Sequence, residues 1–353
     1  MNHAATRMLA NADPALRRAW HPVARSNEVT DVPHKARLLG EDWVIVRLPD
    51  PSGGNGSRSS RLAAFVDRCP HRFAPLSAGT VDGSFLRCGY HGWCFDADGA
   101  CREIPSLGTA EHVPPRAVAT APAALAEQHG MVFIAPEPPV TDLLDVPEAD
   151  DPAFVHGALD PITARVGAGL MIDNFLDMAH FPFVHAATIG TPESATFGLD
   201  VERRGFGMNV SSRHPFPNRE DPGVAAGIRP LLQERVLEYR YRAPFSICLR
   251  IEYVEAGGTN VLDFYVQPED DEQCRIYTTV HRNDLDGDET RLAECIAFER
   301  KILDEDLLLQ ERYHDRRLPL DLTAEVHVKA DRSTIELRRI LADLTTTPGD
   351  HHA

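Results

Sequence analysis

Residues 69–93 read CPHRFAPLSAGTVDGSFLRCGYHGW. Cys69 and His71 frame one short loop, Cys88 and His91 frame a second, and sixteen residues separate His71 from Cys88. Two thiolates and two imidazoles on two loops are donors enough for one metal ion or a small cluster. Zinc, which takes any mixture of sulfur and nitrogen in a tetrahedron, is the generic occupant. Pro70 stands inside the first loop, Gly89-Tyr90 inside the second, and Gly92-Trp93 follows it. Cys94 and Cys101 match no ligand slot and read as packing residues of a small β domain.

That domain extends on both sides of the stretch. Residues 35–48 (KARLLGEDWVIVRL) alternate and end in β-branched residues, residues 61–67 (RLAAFVD) read as a second strand, and PSGGNGSRSS between them has the composition of a flexible hairpin tip. Upstream, Asp13-Pro14 predicts a capped short helix, PALRRAW. Downstream, the Pro-rich acidic stretch at 135–152 predicts a linker and a domain boundary near residue 140. Long strand-like segments fill 196–282, one long helix is expected over 288–315, and Ser333-Thr334-Ile335-Glu336 fits a capping box opening a last helix. The fold class expected is α+β: an all-β N-terminal domain followed by a domain with an antiparallel sheet flanked by helices. The expected divisions are 1–33, a helical segment packing on the second domain; 34–140, the β domain; 141–345, the second domain; and 346–353, a disordered tail.

The chain has 353 residues, 43% hydrophobic and 25% charged, enough to bury a substantial core. Its formal charge of −17, with no basic cluster, argues against nucleic acid or anionic lipid as partners. No apolar run is long enough to span a bilayer, the first twenty residues lack the apolar stretch of a secretory signal, and a cytoplasmic protein is expected. Seven cysteines, an odd number, do not suggest a secreted disulfide framework.

With its flanking residues, the 69–93 pattern resembles the Rieske [2Fe-2S] signature. In that centre each loop gives one cysteine to one iron and one histidine to the other, and the neutral imidazoles raise the reduction potential above that of an all-cysteine cluster. The resemblance assigns Cys69, His71, Cys88 and His91 to the cluster. Further on, residues 173–185 read DNFLDMAHFPFVH, with Asp177 three residues before His180 and His185 five residues after it. Five residues of ideal helix turn a side chain by about 140°, so the histidines diverge unless the helix breaks, and Pro182 is the expected break. Beside a Rieske motif, this string resembles the mononuclear iron motif of Rieske non-haem iron oxygenases. There two histidines and a later carboxylate form a facial triad with open positions for dioxygen.

The family keeps the carboxylate on a long helix near the C-terminus, here CIAFERKILDEDLLLQERY. At 100° per residue Asp306 shares a face with Cys295, Glu299 and Ile302, whereas Asp304 and Glu305 are expected to turn into water. A carboxylate on an inward face needs a partner, and iron is one. Asp306 also matches the second acid of the family's Glu-Asp pair. The resemblance makes Asp177 an acceptor for an iron-ligating histidine of its own chain and a Rieske histidine of the neighbouring chain, a tuning role. Asn174 in the same string stands with Asp177 among the catalytic candidates.

The resemblance runs from LRRAWHPVA near the start to the helix carrying Asp306 and is strongest to the vanillate O-demethylase and dicamba demethylase branch. It implies a homotrimer of α subunits and a separate flavin and iron-sulfur reductase, or ferredoxin, fed by NAD(P)H. Electrons pass through the Rieske cluster to an Fe(II) that activates O2 and hydroxylates or demethylates a small, aromatic or cyclic substrate. Phe264, Tyr265, His281, Ala297 and Phe298 are the pocket candidates. A cis-dihydroxylating dioxygenase is the alternative within the family. A Rieske electron carrier or a zinc-binding interaction module leaves the second site unexplained.

Overall fold

The computed structural model describes residues 6–50, 59–108, 112–190 and 198–346. Most of the expected hairpin tip and all but the first residue of the expected tail lie outside them. The chain divides into two compact units, Arg17–Val140 and Met1–Leu16 with Thr141–Ala353. The division at Val140 falls where the Pro-rich linker begins. Residues 17–33, expected with the C-terminal domain, instead belong to the β unit. Strand β1 (His21–Arg25) pairs there with β10 (Met131–Ala135), which pairs in turn with β9 (Ala124–Gln128).

In the same unit, the single strand expected over 35–48 is a hairpin of β2 (His34–Leu38) and β3 (Glu41–Pro49). Leu39 and Gly40 take φ of 51° and 79°, the left-handed pair that a two-residue turn requires. Strand β4 (Ser60–Val66) completes this sheet. A second sheet runs β5 (Thr80–Asp82), β6 (Phe85–Arg87), β7 (Cys94–Phe95) and β8 (Cys101–Glu103). Val44, Val46, Leu48, Phe65, Leu86 and Phe95 are buried in one cluster with Cys69 and Cys88. Each fully buried phenylalanine there contributes about 1.5–3 kcal/mol. The two ligand-type cysteines are thus anchored in the core; Cys101 belongs to the same cluster, and Cys94 is buried.

The second unit is built on an eight-stranded antiparallel sheet. β11 (Val155–Ala158) and β12 (Ile162–Ala164) both pair with β18 (Gln273–Arg282), and the order then runs back through β17 (Thr259–Asp270), β16 (Ser246–Tyr253), β15 (Leu232–Arg242) and β14 (Gly207–Pro217) to β13 (Asp200–Arg203). Along β15 the residues Gln233, Arg235, Leu237, Tyr239 and Tyr241 are buried and their neighbours are not, the period-two signature of a sheet covered on one face.

Helix α1 (Ala168–Leu176) and the single turn α2 (Phe181–Val184) lie between β12 and β13; α3 (Glu289–Gln310) and α4 (Arg332–Leu344) follow the sheet. Asp288 caps α3, its carboxylate accepting from the Thr290 and Arg291 amides at 2.9 and 3.1 Å. α3 lies close over β11, where a Cβ on Gly157 would stand 2.4 Å from Ile296 Cδ1. The capping box expected at 333–336 does not form. Ser333 and Thr334 lie inside α4, and Ser333 Oγ donates instead to the Leu176 carbonyl at 2.8 Å, satisfying the end of α1.

Candidate active site

The two loops of the β unit are alike. The Cys69 amide donates to the Ala74 carbonyl at 2.8 Å and the Phe73 amide back to Cys69, while the Cys88 amide donates to Trp93 at 2.8 Å and the Gly92 amide back to Cys88. Both thiols are buried and not joined in a disulfide, whereas His91 is exposed and His71 half-buried. The His71 ring stacks on Trp93 at 4.5 Å and meets the His91 ring edge-on at 4.5 Å. Its Nδ1 is buried without a hydrogen-bond partner. Burial pushes the Cys69 thiol up to about 11, and the adjacent Cys88 adds to the rise. Two buried thiols that repel each other's charge, below two imidazoles of which one has an orphaned nitrogen, fit a cationic cluster with sulfur ligands inside and nitrogen ligands outside.

The close loop approach depends on Gly89, whose added Cβ would lie 2.6 Å from the Ala78 carbonyl oxygen. Gly89→Ala forces backbone apart at a cost of about 1–3 kcal/mol. It is expected to lose most of the visible [2Fe-2S] absorption and bound sulfide while the far-ultraviolet circular dichroism of the C-terminal sheet persists. Full cluster content in this variant would show the loops to be looser than their spacing indicates.

In the C-terminal unit, α1 stops at Leu176 because Asp177 turns extended, with φ −87° and ψ 126°. The break expected at Pro182 therefore comes earlier. Pro182 sits in the first turn of α2, where its missing N–H costs nothing. His180 and His185 flank that single turn as its caps, which brings their Nε2 atoms to 3.2 Å. Asp306 of α3 completes the set: its Oδ1 lies 3.4 Å from His180 Nε2 and 3.1 Å from His185 Nε2. This is the group of possible metal donors found among the described residues.

Ligands about 2.1 Å from one ion at right angles stand about 3 Å apart, so the three edges match one face of an octahedron. Asp306 Oδ1 is buried with no hydrogen-bond partner, the orphan a cation satisfies. Burial pushes the Asp306 carboxyl up, but the two imidazoles and the Asn174 amide outweigh it and hold it at about 2. His180 moves the other way: burial lowers it, yet the adjacent carboxylates of Asp177 and Asp306 raise it to about 9. The pocket is built for positive charge, and the residues present fit a divalent iron.

Around the triangle, Asp177 Oδ2 accepts from His180 Nδ1 at 3.3 Å while Oδ1 accepts from the Ala179 amide at 2.7 Å. Asn174 lines the adjoining cavity and accepts from Gln310 Nε2 at 2.8 Å. Asp304 faces water and pairs with Arg300 at 2.9 Å. Glu305, expected to do the same, does not. Its Oε2 accepts from His185 Nδ1 at 2.9 Å and from Thr188 Oγ1 at 2.8 Å, because 100° from Asp306 is still the flank of α3 along which His185 approaches. Each histidine thus has its own carboxylate behind it. Glu305→Gln is expected to weaken iron retention against a chelator by about 10–100-fold. Unchanged retention would return Glu305 to the role of a bystander.

The triangle opens into a cavity whose walls come from α1, α2, β14 to β17 and α3. Phe175, Phe181, Phe216, Leu237, Tyr239 and Phe298 make it flat-sided and largely apolar, and outside the donor triangle Arg219, Glu220, Arg235 and Glu299 are the charged-type groups in the lining. Of the five pocket candidates, Phe298 lines this cavity. Phe264 lies behind the wall, stacked on Phe175 at 4.0 Å. Tyr265 is buried one residue along the same strand and does not reach the lining. His281 is engaged elsewhere, with Asp263 at 2.8 Å and His156 at 2.7 Å. Ala297 is exposed on α3. The missed residues come mainly from β14 to β16. An arginine in phase with Leu237, Tyr239 and Tyr241 was the signal that marked β15.

Residues 19–121 match the Rieske [2Fe-2S] domain family, and residues 165–347 match the vanillate O-demethylase oxygenase C-terminal domain family. The chain is 29% identical over 336 residues to the methylxanthine N3-demethylase NdmB of Pseudomonas putida, covering 92% of this chain and 88% of the relative. It is 26% identical over 353 residues to the vanillate O-demethylase oxygenase subunit of a Pseudomonas species, covering 92% and 93%. Among solved structures, Pseudomonas putida CBB5 NdmA with caffeine superposes with a TM-score of 0.80 at 26% identity, covering 95% and 92% of the two chains.

Proposed function

Because the chain belongs to the vanillate O-demethylase oxygenase family and carries a Rieske [2Fe-2S] domain, we propose that it is a demethylase that removes an O- or N-linked methyl group from a small planar substrate. It is a Rieske non-haem iron monooxygenase that draws on NAD(P)H through a separate reductase. The observation that carries the reading is the triangle of His180, His185 and Asp306 opening onto an aromatic-walled cavity.

Cys69, His71, Cys88 and His91 would hold the cluster, and His180, His185 and Asp306 would hold the iron. When bound, the cluster supplies electrons and the iron activates dioxygen, one oxygen atom going to a substrate carbon and the other leaving as water. The chain's own residues set the conditions. Asp177 and Glu305 each accept from the Nδ1 of one histidine, which fixes the tautomer that leaves Nε2 free to coordinate. The phenylalanine walls exclude water and stack a flat ring. A methyl carbon hydroxylated there leaves as formaldehyde, so demethylation is hydroxylation followed by loss of that fragment.

A homotrimer, with Asp177 bridging to the Rieske histidine of a neighbouring chain, completes the reading. The Asp177 side chain keeps 31% of its surface exposed, and Phe73 and Tyr90 beside the cluster histidines are 67% and 63% exposed, as a docked surface requires. Among the described residues no helix is long and apolar enough to cross a membrane. Seven unpaired cysteines suit the reducing cytoplasm.

The test is the purified protein with a surrogate reductase, NADH and a panel of methoxylated and N-methylated aromatics. The expected result is formaldehyde release stoichiometric with oxygen consumed. A cis-diol without formaldehyde would replace this reading with dihydroxylation, and cluster reduction without oxygen uptake on any substrate would leave an electron carrier.

A further inference from the structure

Three arginines among the described residues are almost fully buried: Arg235, Arg282 and Arg338, at 4%, 3% and 3% exposure. Two have carboxylates. Arg282 pairs with Asp284 at 2.8 Å and Glu220 at 3.6 Å, and Arg338 with Glu325 at 2.8 Å and Asp173 at 3.0 Å. Arg235 has no carboxylate within ion-pair distance among the described residues. Its Nε donates to His214 Nε2 at 3.0 Å. That ring carries no counter-charge, since burial and the Arg235 charge push His214 down to about 3. Of the acids in the lining outside the donor triangle, Glu220 is turned to Arg282 at 3.6 Å, and Glu299, pushed up to about 7 by burial and by Glu220, accepts from Asn260 at 3.1 Å; neither lies within ion-pair distance of Arg235.

The guanidinium is also held in place. Its Cζ lies 4.7 Å over the Phe216 ring and 5.7 Å from the Phe181 ring, both of which line the cavity. The Phe181 ring stands 5.0 Å from the His180 ring and 5.8 Å from the His185 ring, so one aromatic side chain bridges the cation and the donor triangle. Arginine keeps its charge at any working pH, and burying that charge without a partner is costly. Nature tolerates such a group where a ligand supplies the missing anion, and the planar fork matches a carboxylate.

We propose that Arg235 anchors an anionic group of the substrate, a carboxylate or a comparable oxyanion, at the end of the cavity away from the methyl group presented to His180, His185 and Asp306. The substrate class is then a planar aromatic acid bearing an O- or N-methyl group. This rests on reading the cavity as the oxygenase pocket.

The test is calorimetric titration of the metal-loaded protein, without reductase, with matched pairs of methoxybenzoates and methoxybenzamides and of N-methylated aromatic acids and their amides. Wild type is expected to bind the acids about 10-fold or more tighter than the amides. Arg235→Gln should bring the two to parity with amide affinity unchanged, and Arg235→Lys should keep part of the preference. The Arg235→Gln protein without ligand should melt no lower than wild type, because an uncompensated buried charge has been removed. Equal binding of acids and amides by wild type, an acid preference that survives Arg235→Gln, no acid bound at all, or a large fall in Tm in Arg235→Gln would each overturn the proposal. Since the titration needs no turnover, acids bound through Arg235 without formaldehyde release would sink the demethylase reading and leave this one standing.

Discussion

Asp306→Ala is expected to abolish mononuclear iron binding and turnover while leaving the [2Fe-2S] absorption of the β unit unchanged. The variant deletes one of three donors, and the charged one, so the loss exceeds the roughly 100-fold expected from disturbing a residue that merely supports a ligand. Asp304→Ala is the control. Its exposed pair with Arg300 one turn away is worth only a few tenths of a kcal/mol, about 0.3–0.5 for such helix pairs, so activity should remain. Iron content by metal analysis and the cluster spectrum decide the matter together. Iron retained in Asp306→Ala and lost in Asp304→Ala would assign the third ligand wrongly.

Asp177→Asn is expected to keep the cluster and most of the mononuclear iron and still lower turnover by about 100-fold or more, an effect of removing charge at the histidine it orients. An amide still offers an oxygen to His180 Nδ1, so the geometry at 3.3 Å survives while the negative charge that keeps His180 well above its ordinary pKa does not. The diagnostic measurement is single turnover after chemical reduction. A cluster that reduces at the normal rate but delivers its electron slowly places the defect between the two metals. Product formation near the wild-type rate would mean that electrons take another route.

How much of this was legible in the sequence depends on how local each signal is. The cluster set lies within one stretch, and the histidine pair within another, so each could be matched whole to a motif of the family it resembles. Asp306 came from helical phase, which works because α3 is a regular helix of 22 residues. Glu305 was missed by the same reasoning. Phase tells which face a residue takes but not what approaches its flank, and His185 comes from 120 residues away.

The pocket was misread for a different reason. Residues 259–269 of β17 are all buried, so the strand offers no alternation to say which residues face the cavity, and Phe264 and Tyr265 look alike from sequence. β15 does alternate, and its arginine among tyrosines was the better clue. The hairpin at Leu39-Gly40 was hidden because its first turn residue is a leucine, a poor advertisement for positive φ.

The order of the C-terminal sheet bears on how the enzyme comes together. From β13 to β18 every strand pairs with the next in sequence, so these hairpins close short loops and assemble locally. The histidines precede β13 and Asp306 follows β18, so the donor triangle closes a long loop around these locally paired strands. Iron held there would be a reversible cross-link between two flanks that the strands already separate and support. Stripping it with a chelator is expected to leave the far-ultraviolet circular dichroism of the sheet intact.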